Sequence, residues 1–94
     1  RVGPGFRGMK LQVRLFGPYR DFQSQPLLEL EVADGANVAD ARRALAAHAA
    51  ARWPACTPGL LRSTAFASEE ALLRDGDALP ADGRIALIPP VNGG

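Results

Sequence analysis

The groups best suited to chemistry in this sequence of 94 residues lie at its end, where Gly93 and Gly94 follow a Pro89-Pro90 step. Two successive prolines favour a stiff, extended backbone. Glycine has no Cβ, so a narrow channel in another protein can close around the backbone of Gly93 and Gly94. A terminal carboxylate, with a reference pKa of about 3.5, is ionised at neutral pH and can attack an activated phosphate. The pattern therefore indicates chemistry at the terminal carboxylate.

A frayed end without function is the alternative interpretation of the same residues. The segment 88–91, Ile-Pro-Pro-Val, is apolar and conformationally restricted, which is not the composition of a discarded tail. We expect residues 89–94 to form an extended tail that becomes ordered only in a partner protein. Ahead of it we expect a folded domain at residues 9–88, preceded by a disordered leader or expression remnant at residues 1–8.

Side chains offer weaker candidates for chemistry. The sequence has one histidine, His48, and one cysteine, Cys56, which is too few for a metal site of the usual kind, so no bound metal is expected. His48 lies in the middle of a helical pattern, as surface and half-buried histidines do. Cys56 is interpreted as a partly buried small apolar residue in preference to a reactive thiol. Residues 75–77, Asp-Gly-Asp, lack the other ligand positions of a calcium loop and are predicted to form a turn.

Composition and charge limit the classes of protein to which this chain could belong. Hydrophobic residues make up 47% and charged residues 22% of the chain, and the net charge is +1. The sequence has no basic stripe of the kind that binds nucleic acid. It also has no apolar run that approaches the roughly 20 residues needed to span a bilayer, and no signal peptide is visible. A single cysteine suits a reducing compartment. We therefore expect a cytoplasmic protein that binds neither nucleic acid nor membrane.

Two alternating segments predict the first two strands of the fold that must carry the tail. From Met9 to Leu15 apolar residues alternate with basic residues and a glutamine, and from Leu28 to Val32 they alternate with glutamates. The basic polar face of one strand and the acidic polar face of the other favour an antiparallel hairpin. Residues 17–26 between them are rich in turn formers and are predicted to be a loop.

An alanine-rich segment after the hairpin predicts the main helix. Asn37 is a good N-cap, Asp40 places a negative charge in the first turn, and Pro54 ends the helix. One apolar stripe is predicted to face the sheet, whereas Arg42 lies mostly outside it. This stripe and the apolar strand positions form the predicted core: Val38, Ala41, Leu45, Leu11, Val13, Leu15, Leu28, Leu30, Ile85 and Leu87.

The second half of the chain is predicted from shorter signals. Residues 55–62 are predicted to be a loop, residues 63–68 a short strand, and residues 84–88 the last strand. Residues 68–77 hold a brief strand or a helical turn. The order strand, strand, helix, strand, strand predicts an α+β domain in which one main helix packs on one face of a mixed sheet.

The end of the chain resembles the IPPV-x-GG ending of the MoaD-type small subunit of molybdopterin synthase, a ubiquitin-like sulfur carrier of the MoaD/ThiS family. Three further segments match that family in the same order, at residues 11–17, 35–40 and 73–77. Asn92 stands where serine is usual, and extra residues at 79–83 precede the last strand. These departures leave the tail pattern intact.

The resemblance implies the β-grasp fold of ubiquitin and a role as a carrier that is not an enzyme on its own. A ubiquitin-activating-like adenylyltransferase would use ATP to adenylate the Gly94 carboxylate, and a sulfur donor protein would convert it to a thiocarboxylate. The tail would then enter the large subunit of molybdopterin synthase and donate sulfur for molybdenum cofactor synthesis. The chain itself would bind no cofactor. The partner-binding residues of the tail would be Pro89, Pro90, Val91, Asn92 and Gly93.

Other functions share these sequence features. Sulfur carriers for thiamin or cysteine synthesis and ubiquitin-like protein modifiers use the same activation chemistry. A β-grasp interaction module without terminal chemistry is an alternative of a different class. For the carriers, partner docking is expected to use apolar surface near the last strand, where Phe66 and Ile88 are the candidates. The alternative for these two side chains is that they complete the core.

Overall fold

The computed structural model describes residues 8–90, within which five strands form one sheet. No helix in this range is long and apolar enough to cross a bilayer. The elements in chain order are β1 (Gly8–Arg14), a 3-10 helix (Gly17–Asp21), β2 (Leu27–Ala33), α1 (Val38–Arg52), α2 (Pro58–Ser63), β3 (Ala65–Ala67), β4 (Leu72–Leu73) and β5 (Arg84–Ile88).

The sheet is mixed and places the last strand in its middle. The strand order is β2-β1-β5-β3-β4. Strand β1 pairs antiparallel with β2 and parallel with β5, and β3 pairs antiparallel with both β5 and β4. This topology, with one main helix, is the ubiquitin-like β-grasp fold, so the predicted fold class is confirmed. The tail therefore begins at the centre of the sheet.

The hairpin of β1 and β2 has the register that the alternating pattern predicts. Leu11 pairs with Leu30 on the covered face of the sheet, and Lys10 pairs with Glu31 on the opposite face. Opposite charges on directly facing positions stabilise an antiparallel pair by a few tenths of a kcal/mol, to about 1 kcal/mol at most. Strand β1 begins at Gly8, one residue before the predicted start of the domain.

The start of α1 is capped from two sides. The side chain of Asn37 accepts a hydrogen bond from the backbone N–H of Asp40, and the Asp40 carboxylate accepts one from the backbone N–H of Asn37, both at 3.0 Å. Residues 75–77 form the predicted turn, and the carbonyl of Asp77 accepts a hydrogen bond from the N–H of Val38 at 3.0 Å. These contacts satisfy donors that a helix N-terminus leaves unpaired.

The core lies between α1 and one face of the sheet. Every residue of the predicted core is buried, none with more than 7% of its surface exposed. The structure adds Val32 and Ala49, which continue the predicted apolar patterns of β2 and α1, and it also buries Tyr19, Trp53, Leu61, Thr64 and Phe66. Large side chains from the irregular connections thus complete the core of a domain this small.

Two segments predicted to be loops contain short helices. The 3-10 helix occupies the first half of residues 17–26 and buries Tyr19. Helix α2 occupies most of the region predicted as a loop around Pro58. It begins because the hydroxyl oxygen of Thr57 accepts a hydrogen bond from the N–H of Leu60 at 3.1 Å and because proline is well suited to the first helical position. The residue pair Pro58-Gly59, which lies within the predicted loop, therefore starts a helix.

Candidate functional site

The base of the tail is the candidate functional site. Pro89 and Pro90 follow β5 directly, Pro89 half-buried and Pro90 exposed. Proline has no N–H to donate, so the hydrogen-bond ladder of the sheet ends at Ile88. The remaining predicted tail residues lie outside the described residues: Val91, Asn92, Gly93 and Gly94.

Gly17 lies against the first tail residue. Its φ of +60° is in the left-handed region that favours glycine. A Cβ added at Gly17 would lie 2.9 Å from the Cγ atom of Pro89. The start of the 3-10 helix and the start of the tail therefore approach each other more closely than a side chain at residue 17 would allow.

The face of the sheet opposite α1, called the open face below, is not covered by any element among residues 8–90. The strand registers align one residue from each strand in a row across this face. The row contains both apolar side chains and one arginine: Leu27, Arg14, Ala86, Ala67 and Leu72. This row, called the apolar stripe below, crosses the whole sheet at the level of Ala86, three residues before the tail begins at Pro89.

The large hydrophobic side chains exposed among the described residues lie on the open face. Leu72 is 68% exposed, Leu27 46% and Ile88 36%. Phe16, 41% exposed, has an extended backbone and follows Arg14 by two residues, which places it on the same face. Exposed apolar side chains on a sheet face that no other element covers are typical of protein interaction surfaces.

The two candidate docking residues have different environments. Ile88 is exposed on the open face next to Pro89, as a docking residue must be. Phe66 has no exposed surface, because its position in β3 pairs with Leu87 and points to the core. The prediction that Phe66 lies on a docking surface is therefore wrong. Leu27, Leu72 and Phe16 were missed because they lie at element ends, where the alternating pattern is short.

Charged side chains flank the apolar stripe. Arg14 and Arg84 are both exposed on the open face, in the neighbouring strands β1 and β5. A carboxylate oxygen of Glu69 lies 3.6 Å from the Arg84 guanidinium, and both side chains are more than 60% exposed. An exposed pair of this kind contributes little to stability. Arg14 and Arg84 are therefore accessible to an acidic partner surface.

Neither the histidine nor the cysteine is placed for chemistry. Cys56 is half-buried, and burial raises the pKa of its thiol, which keeps the sulfur in the less nucleophilic protonated form. Partial burial, and secondarily the charge of Arg52, lowers the pKa of His48, whose ring packs edge-on against Trp53 with 5.0 Å between ring centroids. Among residues 8–90, no group of three or more histidine, cysteine or acidic side chains is arranged to hold a metal ion.

Comparison with known proteins agrees with this geometry. The sequence profile of the ThiS family matches residues 13–94. The crystal structure of SAMP1 from Haloferax volcanii superimposes with a TM-score of 0.68 at 22% identity, covering 92% of this chain and all of that one. The solution structure of the Haloferax volcanii HVO 2177 protein gives a TM-score of 0.68 at 24% identity, covering 100% and 94% of the two chains. No curated protein matches at a significant level.

Proposed function

Because this chain belongs to the ThiS family of ubiquitin-like sulfur carriers and modifiers, we propose that it carries sulfur on the carboxylate of Gly94 and donates it as the small subunit of a molybdopterin synthase. Proteins of this family are not enzymes themselves. The chain's part in the reaction is that of a tethered substrate, and catalytic side chains come from its partners.

One observation supports this proposal most strongly. The central strand β5 continues directly into Pro89-Pro90, beside an open face with exposed apolar side chains. A partner protein that binds the open face would therefore also be in position to bind the tail, which begins beside that face. The ending from Ile88 to Gly94 is the segment that resembles the MoaD-type tail, which favours molybdopterin synthesis among the pathways of the family.

The proposed cycle has four covalent steps. A carboxylate oxygen of Gly94 attacks the α-phosphorus of ATP and expels pyrophosphate, which gives an acyl adenylate. The terminal sulfur of a protein persulfide then attacks the acyl carbon and expels AMP, which forms a C–S bond. A thiol next attacks the S–S bond that the persulfide already contained, which forms a disulfide with the donor sulfur and releases the thiocarboxylate. Sulfur transfer to the pterin precursor in the large subunit, with water supplying the oxygen, restores the carboxylate.

The proposal assigns a physical role to each part of the tail. Pro89 and Pro90 restrict the backbone where the tail leaves the sheet, which reduces the entropy lost when a partner binds it. Val91 supplies apolar area, and Asn92 is small enough to pass a narrow entrance. Gly93 and Gly94 allow channel walls to approach the backbone.

The test is the mass of the protein after activation. The intact chain, incubated with a cognate adenylyltransferase, ATP and a persulfide donor, is expected to gain the mass difference between sulfur and oxygen. A variant that lacks Gly94 is expected to fold normally but to gain no mass, because its terminus stops short of the activating phosphate and near-attack geometry tolerates only small errors. If the shortened variant gains the same mass, the carrier function is refuted.

The other members of the family define the remaining outcomes. Transfer to a thiamin or cysteine precursor in place of the pterin, or attachment of Gly94 to an amine of another protein, would keep the terminal chemistry and replace the acceptor. A variant with a tag after Gly94 distinguishes the interaction module from all carriers. The module would function with the blocked terminus, whereas every carrier would be inactive.

A further inference from the structure

Gly17 and Pro89 meet because two parallel strands end at the same edge of the sheet. Strand β1 pairs Arg14 with Ala86 of β5. Gly17 lies three residues beyond Arg14, and Pro89 lies three residues beyond Ala86, so both chains reach the same level. At this level Gly17 adopts its left-handed conformation, and a Cβ there would lie 2.9 Å from Cγ of Pro89.

We propose that Gly17 is a positioning residue for the reaction at Gly94. The missing side chain at Gly17 lets the Pro89 ring pack against the start of the 3-10 helix, and this contact sets the direction in which the tail leaves β5. The proposal rests on the proposed function, since it assigns Gly17 a role in presenting the carboxylate to the activating enzyme.

The chemistry of proline explains why a displacement at Pro89 would change the direction of the tail. Each proline ring fixes its own φ at about −65°, so φ is restricted at both Pro89 and Pro90. A Cβ at Gly17 would push against the Pro89 ring, and neither proline has a freely adjustable φ to absorb the change. The direction in which the chain leaves β5 at Pro89 and Pro90 therefore changes, and misplacing a reacting group by about 1 Å can lower a rate by about 100-fold.

Gly35 provides a matched control for the backbone conformation. It has φ +80°, and a Cβ added there would meet no atom within 4 Å. Replacing either glycine by alanine imposes a side chain on a left-handed residue and strains the backbone in a similar way. Only the substitution at Gly17 also creates a contact with the tail. A difference between the two variants therefore reports the Pro89 contact.

The experiment measures pyrophosphate release from ATP by the cognate adenylyltransferase with full-length chains as substrates. Gly17→Ala is expected to lower kcat by about 10- to 100-fold, with little change in KM, because the open face that docks is unaltered. Gly35→Ala is expected to keep both constants at their wild-type values while its melting temperature falls as that of Gly17→Ala does. Equal kcat for Gly17→Ala and the wild-type chain would overturn the proposal.

A second variant tests whether Gly17 acts through Pro89. Pro89→Ala removes Cγ, the atom that the new Cβ would meet, so Gly17→Ala is expected to cost less in the Pro89→Ala background than in the wild-type background. An equal cost in both backgrounds would refute the contact as the cause.

Nuclear magnetic resonance tests the contact without any activation. The backbone amide of Ile88, next to Pro89, is expected to shift in Gly17→Ala but not in Gly35→Ala, and an unchanged Ile88 signal would overturn the proposed displacement. If no adenylyltransferase releases pyrophosphate with the wild-type chain, the proposed function itself fails. If the wild-type chain and Gly17→Ala react equally well, only the role of Gly17 fails.

Discussion

The guanidinium of Arg42 lies over the ring of Phe66, with 4.8 Å between its Cζ atom and the ring centroid. Its Nη1 atom donates hydrogen bonds to the backbone carbonyls of Leu61 at 2.9 Å and Thr64 at 2.7 Å. Its Nη2 atom donates to the carboxylate of Asp75 at 2.9 Å. One side chain of α1 therefore joins α2, β3 and the turn that caps α1, and it lies across the core from the open face.

Replacing this arginine is expected to destabilise the fold. Lysine in Arg42→Lys has no planar fork and cannot reach both carbonyls and the carboxylate together. A buried carbonyl left without a donor costs about 1–3 kcal/mol, so the free energy of unfolding in urea should fall by that amount. Arg43→Lys is the control, because Arg43 is 72% exposed and, within residues 8–90, pairs only with Asp40. Its cost should stay below about 1 kcal/mol, and an equal loss in both variants would contradict the role of Arg42.

The hydroxyl of Tyr19 makes the second buried contact that is open to test. It lies 2.6 Å from Oγ1 of Thr64, which is itself 2.7 Å from the carbonyl of Leu60. The carbonyl can only accept, so Thr64 donates to Leu60 and Tyr19 donates to Thr64. Tyr19→Phe removes that donor and should lower the free energy of unfolding by about 1 kcal/mol. In a Thr64→Val background, where no acceptor remains, the same substitution should cost less.

Tyr19 also predicts a dependence of stability on alkaline pH. Burial raises the pKa of its hydroxyl. The unfolded chain therefore loses this proton first as pH increases. The contribution of Tyr19 is fully present below the ordinary tyrosine pKa of about 10 and decreases as pH rises above it. In Tyr19→Phe this part of the alkaline decrease, measured by urea unfolding, should be absent.

His48 predicts a dependence on pH in the acid direction. Partial burial lowers its pKa in the folded chain, so the unfolded chain binds the proton more readily. The contribution of His48 to stability is therefore fully present above the ordinary histidine pKa of about 6.5. It falls as pH decreases through the lower pKa of the folded state. His48→Gln should unfold in urea with a smaller change between about pH 7.5 and pH 5.5. A change as large as that of the wild-type chain would show that another group titrates.

Trp53 reports the same titration in the folded state. It is the single tryptophan of the chain, and its ring centroid lies 5.0 Å from that of His48. A protonated imidazole quenches indole fluorescence more strongly than a neutral one, so emission should decrease on acidification with a midpoint below the ordinary histidine pKa. The His48→Gln variant should lack this transition.

The regular parts of this fold could be predicted from the sequence because their signals are local. Alternation fixed which side of β1 and β2 faces the core, and Asn37 with Asp40 marked the start of α1. Helix α2 was missed because proline and glycine, which commonly form turns, also occur at a helix start. The bond between Tyr19 and Thr64 joins residues 45 positions apart, and no local pattern contains such information.

The residues of the candidate site also differ in whether the sequence alone could identify them. The proposed chemistry of the tail was inferred from residue types alone, because the two prolines and the two glycines are read directly from the sequence. The contact between Gly17 and Pro89 depends on the parallel pairing of β1 with β5, which only the fold supplies. Whether Phe66 lies on the surface or in the core was left open by the sequence, because its strand is only three residues long, too short for alternation to show which face is buried.

The open face leads to the last prediction, on docking. Ile88 is 36% exposed and adjoins Pro89, so a partner that binds the tail is expected to cover it. Ile88→Asp would bury a charge in that interface and should weaken binding to the cognate adenylyltransferase by about 2 kcal/mol, or about thirtyfold in Kd. Ala50→Asp on the exposed side of α1 is the control and should bind as the wild-type chain does.

The stability of the variants decides how the binding result is interpreted. Ile88 lies at the end of β5, where an aspartate weakens the strand, so circular dichroism must show that Ile88→Asp is folded at the temperature of the binding measurement. Ile88→Thr keeps the β-branched shape that suits a strand and removes part of the apolar surface. It should weaken binding less than aspartate does but more than Ala50→Asp. Wild-type affinity in a folded Ile88→Asp variant would show that the partner does not bind the open face beside the tail.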